Sequence, residues 1–193
     1  MRKILHQLAL SIRQKIKGTP KYDLNKLAFR NDYKTLEEVL CKCTIEKINE
    51  PEKGLRFTPI FFSVLAGEVE SAKLLIKYGA NVNALDVYGR PPLYYIGDPS
   101  PVPSATAENR LQVAKLLLDN GADINIIDVD GAQPLWPVVF NARGKKEELP
   151  IVKLFMKHGA NPKHINKYGK NPLDIAKLSD NSALQEILES HQK

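Results

Sequence analysis

Cysteine is nearly missing from this chain: two occur in 193 residues, at Cys41 and Cys43. A disulfide between residues so close is strained, and two thiols build no extracellular framework. The pair reads as small apolar core residues in a reducing compartment, which predicts a cytoplasmic protein. Long hydrophobic runs are missing too, since none approaches the roughly 18 residues that cross a bilayer. The four histidines, His6, His158, His164 and His191, show no helical metal-pair spacing, and none has a cysteine near it in sequence. There is no G-x-S-x-G, no phosphate-binding glycine loop and no H-E-x-x-H. The acidic pairs Glu37-Glu38 and Glu147-Glu148 read as solvated charge. These absences predict a protein with no cofactor and no metal that is not an enzyme.

Acidic residues are missing from one region in particular. Residues 1–21 hold Arg2, Lys3, Arg13, Lys15, Lys17 and Lys21 and no carboxylate, while the whole chain has 28 Lys+Arg against 22 Asp+Glu. The net charge of +6 therefore belongs to this segment, and the rest of the chain is neutral overall. A nucleic-acid reader usually carries its basic residues across the folded face, so nucleic acid is not the predicted partner. Ile4, Leu5, Leu8, Ile12 and Ile16 recur at helical spacing among the cations, which predicts a basic amphipathic helix over 1–21. It fits three roles: a cap on the domain that follows, a partner- or membrane-binding helix, or a cleaved signal. The cap is the favoured role.

What the chain does have is repetition. Lys73-Leu-Leu-Ile-Lys-Tyr-Gly-Ala-Asn81 is matched by Lys115-Leu-Leu-Leu-Asp-Asn-Gly-Ala-Asp123 and by Lys153-Leu-Phe-Met-Lys-His-Gly-Ala-Asn161. Each is an apolar helix end followed by a glycine able to take a left-handed stop. A second glycine-ended turn follows each: Asp86-Val-Tyr-Gly89, Asp128-Val-Asp-Gly131 and Asn166-Lys-Tyr-Gly169. Three residues further on come Pro92-Leu93, Pro134-Leu135 and Pro172-Leu173, with Thr58-Pro59-Ile60 one unit earlier. Proline suits the first turn of a helix.

These markers resemble the ankyrin repeat, a β-turn finger with two antiparallel helices. The resemblance covers roughly residues 22–190 and is similar to small bacterial or viral ankyrin proteins. It implies an all-α solenoid of about five units, near 22–53, 54–88, 89–130, 131–168 and 169–193, preceded by the 1–21 helix. The first unit keeps only an apolar pattern in Leu24, Leu27, Ala28, Leu36, Val39 and Leu40. The family's signature histidine is absent throughout, with Phe61, Tyr94, Trp136 and Asp174 in its place. That histidine bonds a neighbouring threonine, and here only Thr58 survives. Aromatic packing is the expected replacement, with Phe61, Tyr94 and Trp136 close together.

Unit lengths differ. Proline to Gly-Ala glycine is 20 residues from Pro59 to Gly79, 29 from Pro92 to Gly121 and 25 from Pro134 to Gly159. The excess lies between paired helices, at Gly97–Ser104 and Asn141–Pro150. In a stack the two insertions should form one raised rim, either by neutral drift or for function.

The resemblance implies a protein-binding module. Family members typically use finger tips and inner helices. The matching tips are Leu85, Val87, Tyr88 and Arg90; Ile127, Val129, Asp130 and Ala132; and Lys167, Tyr168 and Lys170, with Leu65, Tyr95 and Val139 on inner helices. Tyr88, Arg90 and Tyr168 are the expected anchors, because tyrosine and arginine dominate binding hot spots. The expected partner is a folded protein, captured and neutralised, for example a toxin blocked by an immunity protein. The expected state is a monomer or a heterodimer with that partner. Membrane or polyanion binding through residues 1–21 is the alternative.

Overall fold

The computed structural model describes residues 23–30, 32–98 and 102–190. The helix expected over 1–21 lies outside the described residues. Within them the chain is helical, with no strand. The helices are α1 (Leu24–Phe29), α2 (Tyr33–Leu40), the short α3 (Ile45–Ile48), α4 (Pro59–Ala66), α5 (Val69–Lys77), a 3-10 turn at Pro92–Ile96, α6 (Ala107–Asp119), α7 (Leu135–Ala142), α8 (Leu149–Lys157), α9 (Pro172–Lys177) and α10 (Ser182–Ser190). They form two rows. α1, α4, the 3-10 turn, α7 and α9 pack in succession, and α2, α5, α6, α8 and α10 form the second row behind them. The all-α repeat stack expected from the sequence is thus present.

Local chemistry sets the element ends. Asp23 Oδ1 accepts from the amides of Asn25 and Lys26, and Thr106 Oγ1 accepts from Asn109, so both helices start on a side-chain cap. α4 and α9 begin with proline, which gives up no helical bond there. Asp174, at the position of the missing histidine, closes a capping box with Asn171. The second-row helices α5, α6 and α8 end two residues before Gly79, Gly121 and Gly159, in the same register. These glycines have φ of 91°, 83° and 82°, where a side chain would be strained. The next amide then reaches back into the helix: Ala80 N to Leu75 O, Ala122 N to Leu117 O and Ala160 N to Phe155 O. Each bond satisfies a carbonyl that the helix end would leave orphaned.

The core runs the length of the stack. α4 is apolar nearly all round and every one of its residues is buried, as suits a helix with neighbours on all sides. The aromatic packing differs from the expected trio. Phe61 stacks on Phe57 at 4.7 Å and meets Tyr95 at 5.8 Å, and Tyr94 also packs against Tyr95. Trp136 stays half-buried and joins no ring pair among the described residues. The cluster therefore gathers around Phe57 and Tyr95, residues outside the signature position. Thr58 Oγ1 is buried without a hydrogen bond, so nothing replaces the lost histidine polar contact.

The cysteine expectation also gives way. Cys41 is exposed and Cys43 half-buried. The buried face of α2 is carried by Leu36 and Leu40, four residues apart, and Cys41 is the next residue round, turned off that face.

Candidate functional site

Three fingers follow the left-handed glycines, and each is organised by one acceptor side chain. Asp86 Oδ1 takes the amides of Tyr88 and Arg90, both at 2.8 Å. Asp128 Oδ1 takes those of Asp130 and Ala132, at 2.9 and 2.8 Å. Asn166 Oδ1 takes those of Tyr168 and Lys170, at 3.0 and 3.1 Å. The same residues close each finger through their own amides, Asp86 N to Arg90 O, Asp128 N to Ala132 O and Asn166 N to Lys170 O. A single carboxylate or amide thus folds each finger by satisfying backbone donors.

The fingers are then linked to one another. Val87 N donates to Leu55 O, Val129 N to Tyr88 O and Lys167 N to Asp130 O. Deeper in the loops, Asn49 donates to Gly79 O and accepts from Asn81 N, and Asn83 does the same with Gly121 O and Asp123 N. Asn49 and Asn83 thus each stitch one loop to the next.

Two residues expected as anchors lie inside this scaffold. Arg90 is only 4% exposed. Its Nε donates to Asp128 Oδ2 at 2.9 Å, a second guanidinium nitrogen lies 3.3 Å from Asp130 Oδ2, and the Tyr88 and Tyr94 rings flank it at 4.9 and 4.8 Å. Burial opposes its charge, but the surrounding tyrosines and Asp128 outweigh that and hold the guanidinium firmly protonated. Tyr95 is 3% exposed and donates to Asp86 Oδ2 at 2.5 Å. Burial, reinforced by the neighbouring Asp86 carboxylate, pushes its phenol well above the usual tyrosine range. Arg90 ties two fingers together and Tyr95 braces one finger from below. Leu65, Val139 and Ala132 are buried as well. The inner-helix residues face the helix row beside them, which leaves them no open side.

The other expected residues reach the surface. Val129, Lys167 and Lys170 are exposed, and Tyr88 and Asp130 are half-buried. Tyr168 is 71% exposed, and its hydroxyl donates to Asp130 Oδ1 at 3.1 Å, a bond that raises its pKa. Lys167 Nζ donates to Val129 O at 2.6 Å. Leu85, Val87, Ile127 and Val129 are exposed, and so is Ile165, which the sequence reading passed over. Its signal was available: Ile165 precedes Asn166 as Leu85 precedes Asp86 and Ile127 precedes Asp128. In each finger the side chain between inward-turned positions faces out, so the aliphatic residues form a row across successive fingers.

The opposite edge carries the insertions. Arg110 on α6 is 2% exposed and donates to Ile96 O at 2.7 Å, to Ala105 O at 3.2 Å and to the buried carboxylate of Glu148. Glu148 is therefore not the solvated charge expected of it. Gly97 sits so close to the Pro137–Val138 backbone that a Cβ would lie 2.2 Å from Val138 N. Ser104 and Ala105 crowd Gly67 in the same way. The described part of the first insertion thus packs against the helices on either side, and Arg110 ties its flanks to Glu148 of the second. Beside the second insertion Phe140 and Leu178 are exposed, with Arg143 over the Phe140 ring.

Among the described residues no cluster of three or more His, Cys, Asp or Glu side chains is arranged to hold a metal, and no helix is long and apolar enough to cross a membrane. A family model described as ankyrin repeats matches the chain in three copies, over residues 24–128 and 102–193. No curated protein matches it.

Proposed function

The chain belongs to the ankyrin-repeat family, whose members are generally protein–protein interaction modules and typically not enzymes, and from that premise we propose that its finger edge captures a folded protein. The observation that carries this reading is the outward row Leu85, Val87, Ile127, Val129 and Ile165, ended by Tyr168. Soluble proteins scatter single apolar side chains, whereas a contiguous set marks an interaction surface. The row stands on fingers locked by main-chain bonds, so little ordering entropy is lost when a partner docks. Capture of this kind neutralises a partner by covering its working surface, the role of an immunity protein towards a toxin in the cytoplasm. The assembly expected is a one-to-one complex.

The test is a binding comparison after affinity capture identifies the partner. Leu85→Ser, Ile127→Ser and Ile165→Ser together should abolish the complex, and Tyr168→Ala alone should weaken it about tenfold or more. Both variants should keep the parent's circular dichroism and melting temperature, because the substituted side chains are exposed. A partner held within twofold by both variants would remove the finger edge from consideration. It would favour the second surface, where exposed Phe140 and Leu178 adjoin the second insertion.

A further inference from the structure

The three fingers align residue for residue, and their charges diverge. Residues 77–90 hold Lys77, Asp86 and Arg90. The matching 119–132 hold Asp119, Asp123, Asp128 and Asp130 with no cation. The matching 157–170 hold Lys157, Lys163, Lys167 and Lys170 with no acid. The last finger lies in a longer acid-free stretch, 149–173, which also contains Lys153. All five lysines are exposed. Neutrality of the body as a whole conceals this segregation.

The cations are interleaved with apolar surface. Ile165 lies between Lys163 and Lys167, and the exposed Tyr168 ring lies between Lys167 and Lys170. The ring is held by its hydroxyl on Asp130, and Lys167 by its bond to Val129 O. The aliphatic row of the earlier fingers leads into this cationic end.

Resting on the finger-edge reading above, we propose that the partner meets this edge with a compact acidic patch set against Lys163, Lys167 and Lys170, beside an apolar patch that covers the aliphatic row. Two physical arguments choose a protein surface over a nucleic acid. A phosphate backbone carries unbroken negative charge and would run past the last finger onto Asp119 and Asp123, which are exposed and repel it. A discrete carboxylate cluster stops short of them. Nucleic acid also offers no aliphatic surface to cover Leu85, Ile127 and Ile165, whereas apolar protein surface does. The acids of the middle finger thus act as a discriminator and the lysines as an attractor.

The experiment is a residue-resolved NMR titration of the full-length chain with three probes: a peptide mixing glutamate and leucine, the same peptide with serine for leucine, and a short DNA duplex. Resolving individual residues separates the fingers from the cations of residues 1–21. The first peptide should shift the amides of residues 163–170 and of the neighbouring aliphatic positions, with affinity falling about tenfold or more from low to high salt. The serine peptide should bind more weakly, and DNA should leave these amides in place. Lys163→Glu with Lys170→Glu, which spares the Lys167 bond, should erase the first peptide's shifts. Asp119→Lys with Asp123→Lys should keep peptide binding and admit DNA. Unmoved finger amides with the first peptide, DNA binding as tight as the peptide's, or unchanged peptide binding by the double glutamate variant would each overturn the proposal. If the proposal fails while the serine variants of the aliphatic row still lose the captured partner, the finger edge remains the binding surface and only the acidic chemistry falls.

Discussion

Each edge of the stack holds a buried arginine that bridges segments about 40 residues apart, yet the two arginines do different work. On the finger edge, Arg90 reaches Asp128 and Asp130 on the next finger. On the insertion edge, Arg110 reaches Glu148. Around Arg90 the fingers are equal in length, so backbone groups meet in register and already bond one another, Val129 N to Tyr88 O and Lys167 N to Asp130 O. Around Arg110 the connecting segments differ in length, so no common register exists. There one side chain gathers two carbonyls, Ile96 O and Ala105 O, together with a carboxylate. Regular repeats share the load over main chain. An irregular junction concentrates it on one guanidinium.

This contrast sets the order of expected damage. Arg110→Met should be the most destabilising of the changes considered, by about 3–5 kcal/mol, because it strands a buried carboxylate and two carbonyls. Chemical denaturation measures it. Adding Glu148→Gln to Arg110→Met should recover part of the loss, since the stranded charge is then gone. A double variant as unstable as the sum of the singles would break the claim that one ion pair holds this edge.

Arg90→Met should cost less, about 1.5–3 kcal/mol for hydrogen bonds to a charged group. Asp128 keeps two backbone amides on its other oxygen, and the finger ladder is untouched. Hydrogen exchange gives the sharper reading. The amides of Val129 and Lys167 should stay protected in Arg90→Met. Their exposure to exchange would mean that the arginine, and not the backbone, holds the fingers together.

The same contrast explains what could be read from sequence. The stack, the left-handed glycines and the helix-starting prolines were legible because each is a local rule repeated at matching positions. Finger burial was not. Arg90 and Tyr88 look alike as tip residues, but Arg90 turns inward only because Asp128 and Asp130 stand on the next finger, a relation between fingers that no single finger displays. Glu148 likewise looks solvated until Arg110, 38 residues away, is seen beside it. Asp86, Asp128 and Asn166 do carry a signal, a recurring acceptor three residues before the finger glycine, whose role in taking the finger amides shows only in three dimensions. The surface row was largely legible, since it needs only the alternation of a finger; Ile165 was missed although its register is the same.

The smallest expected effect tests the insertion edge from a second side. Glu68 starts α5 next to Gly67, where Ser104 at the end of the first insertion and the following Ala105 press in. Burial raises its pKa, and a hydrogen bond with Ser104 offsets part of that. A carboxyl whose folded pKa lies above its unfolded value favours the folded state when protonated. Its penalty is therefore absent below the unfolded value near 4.5 and develops as pH rises through the folded value. Glu68→Gln should match the parent at pH below that window and melt about 1–2 °C higher at neutral pH. The increment is small because the group keeps some solvent and one partner. An equal change at both pH values would mean that the carboxylate is not desolvated by the insertion, and that the insertion packs on this edge by shape alone. A change confined to neutral pH would show the insertion edge to be polar in its energetics on both flanks, at Glu68 as at Glu148, where the finger edge relies on main chain.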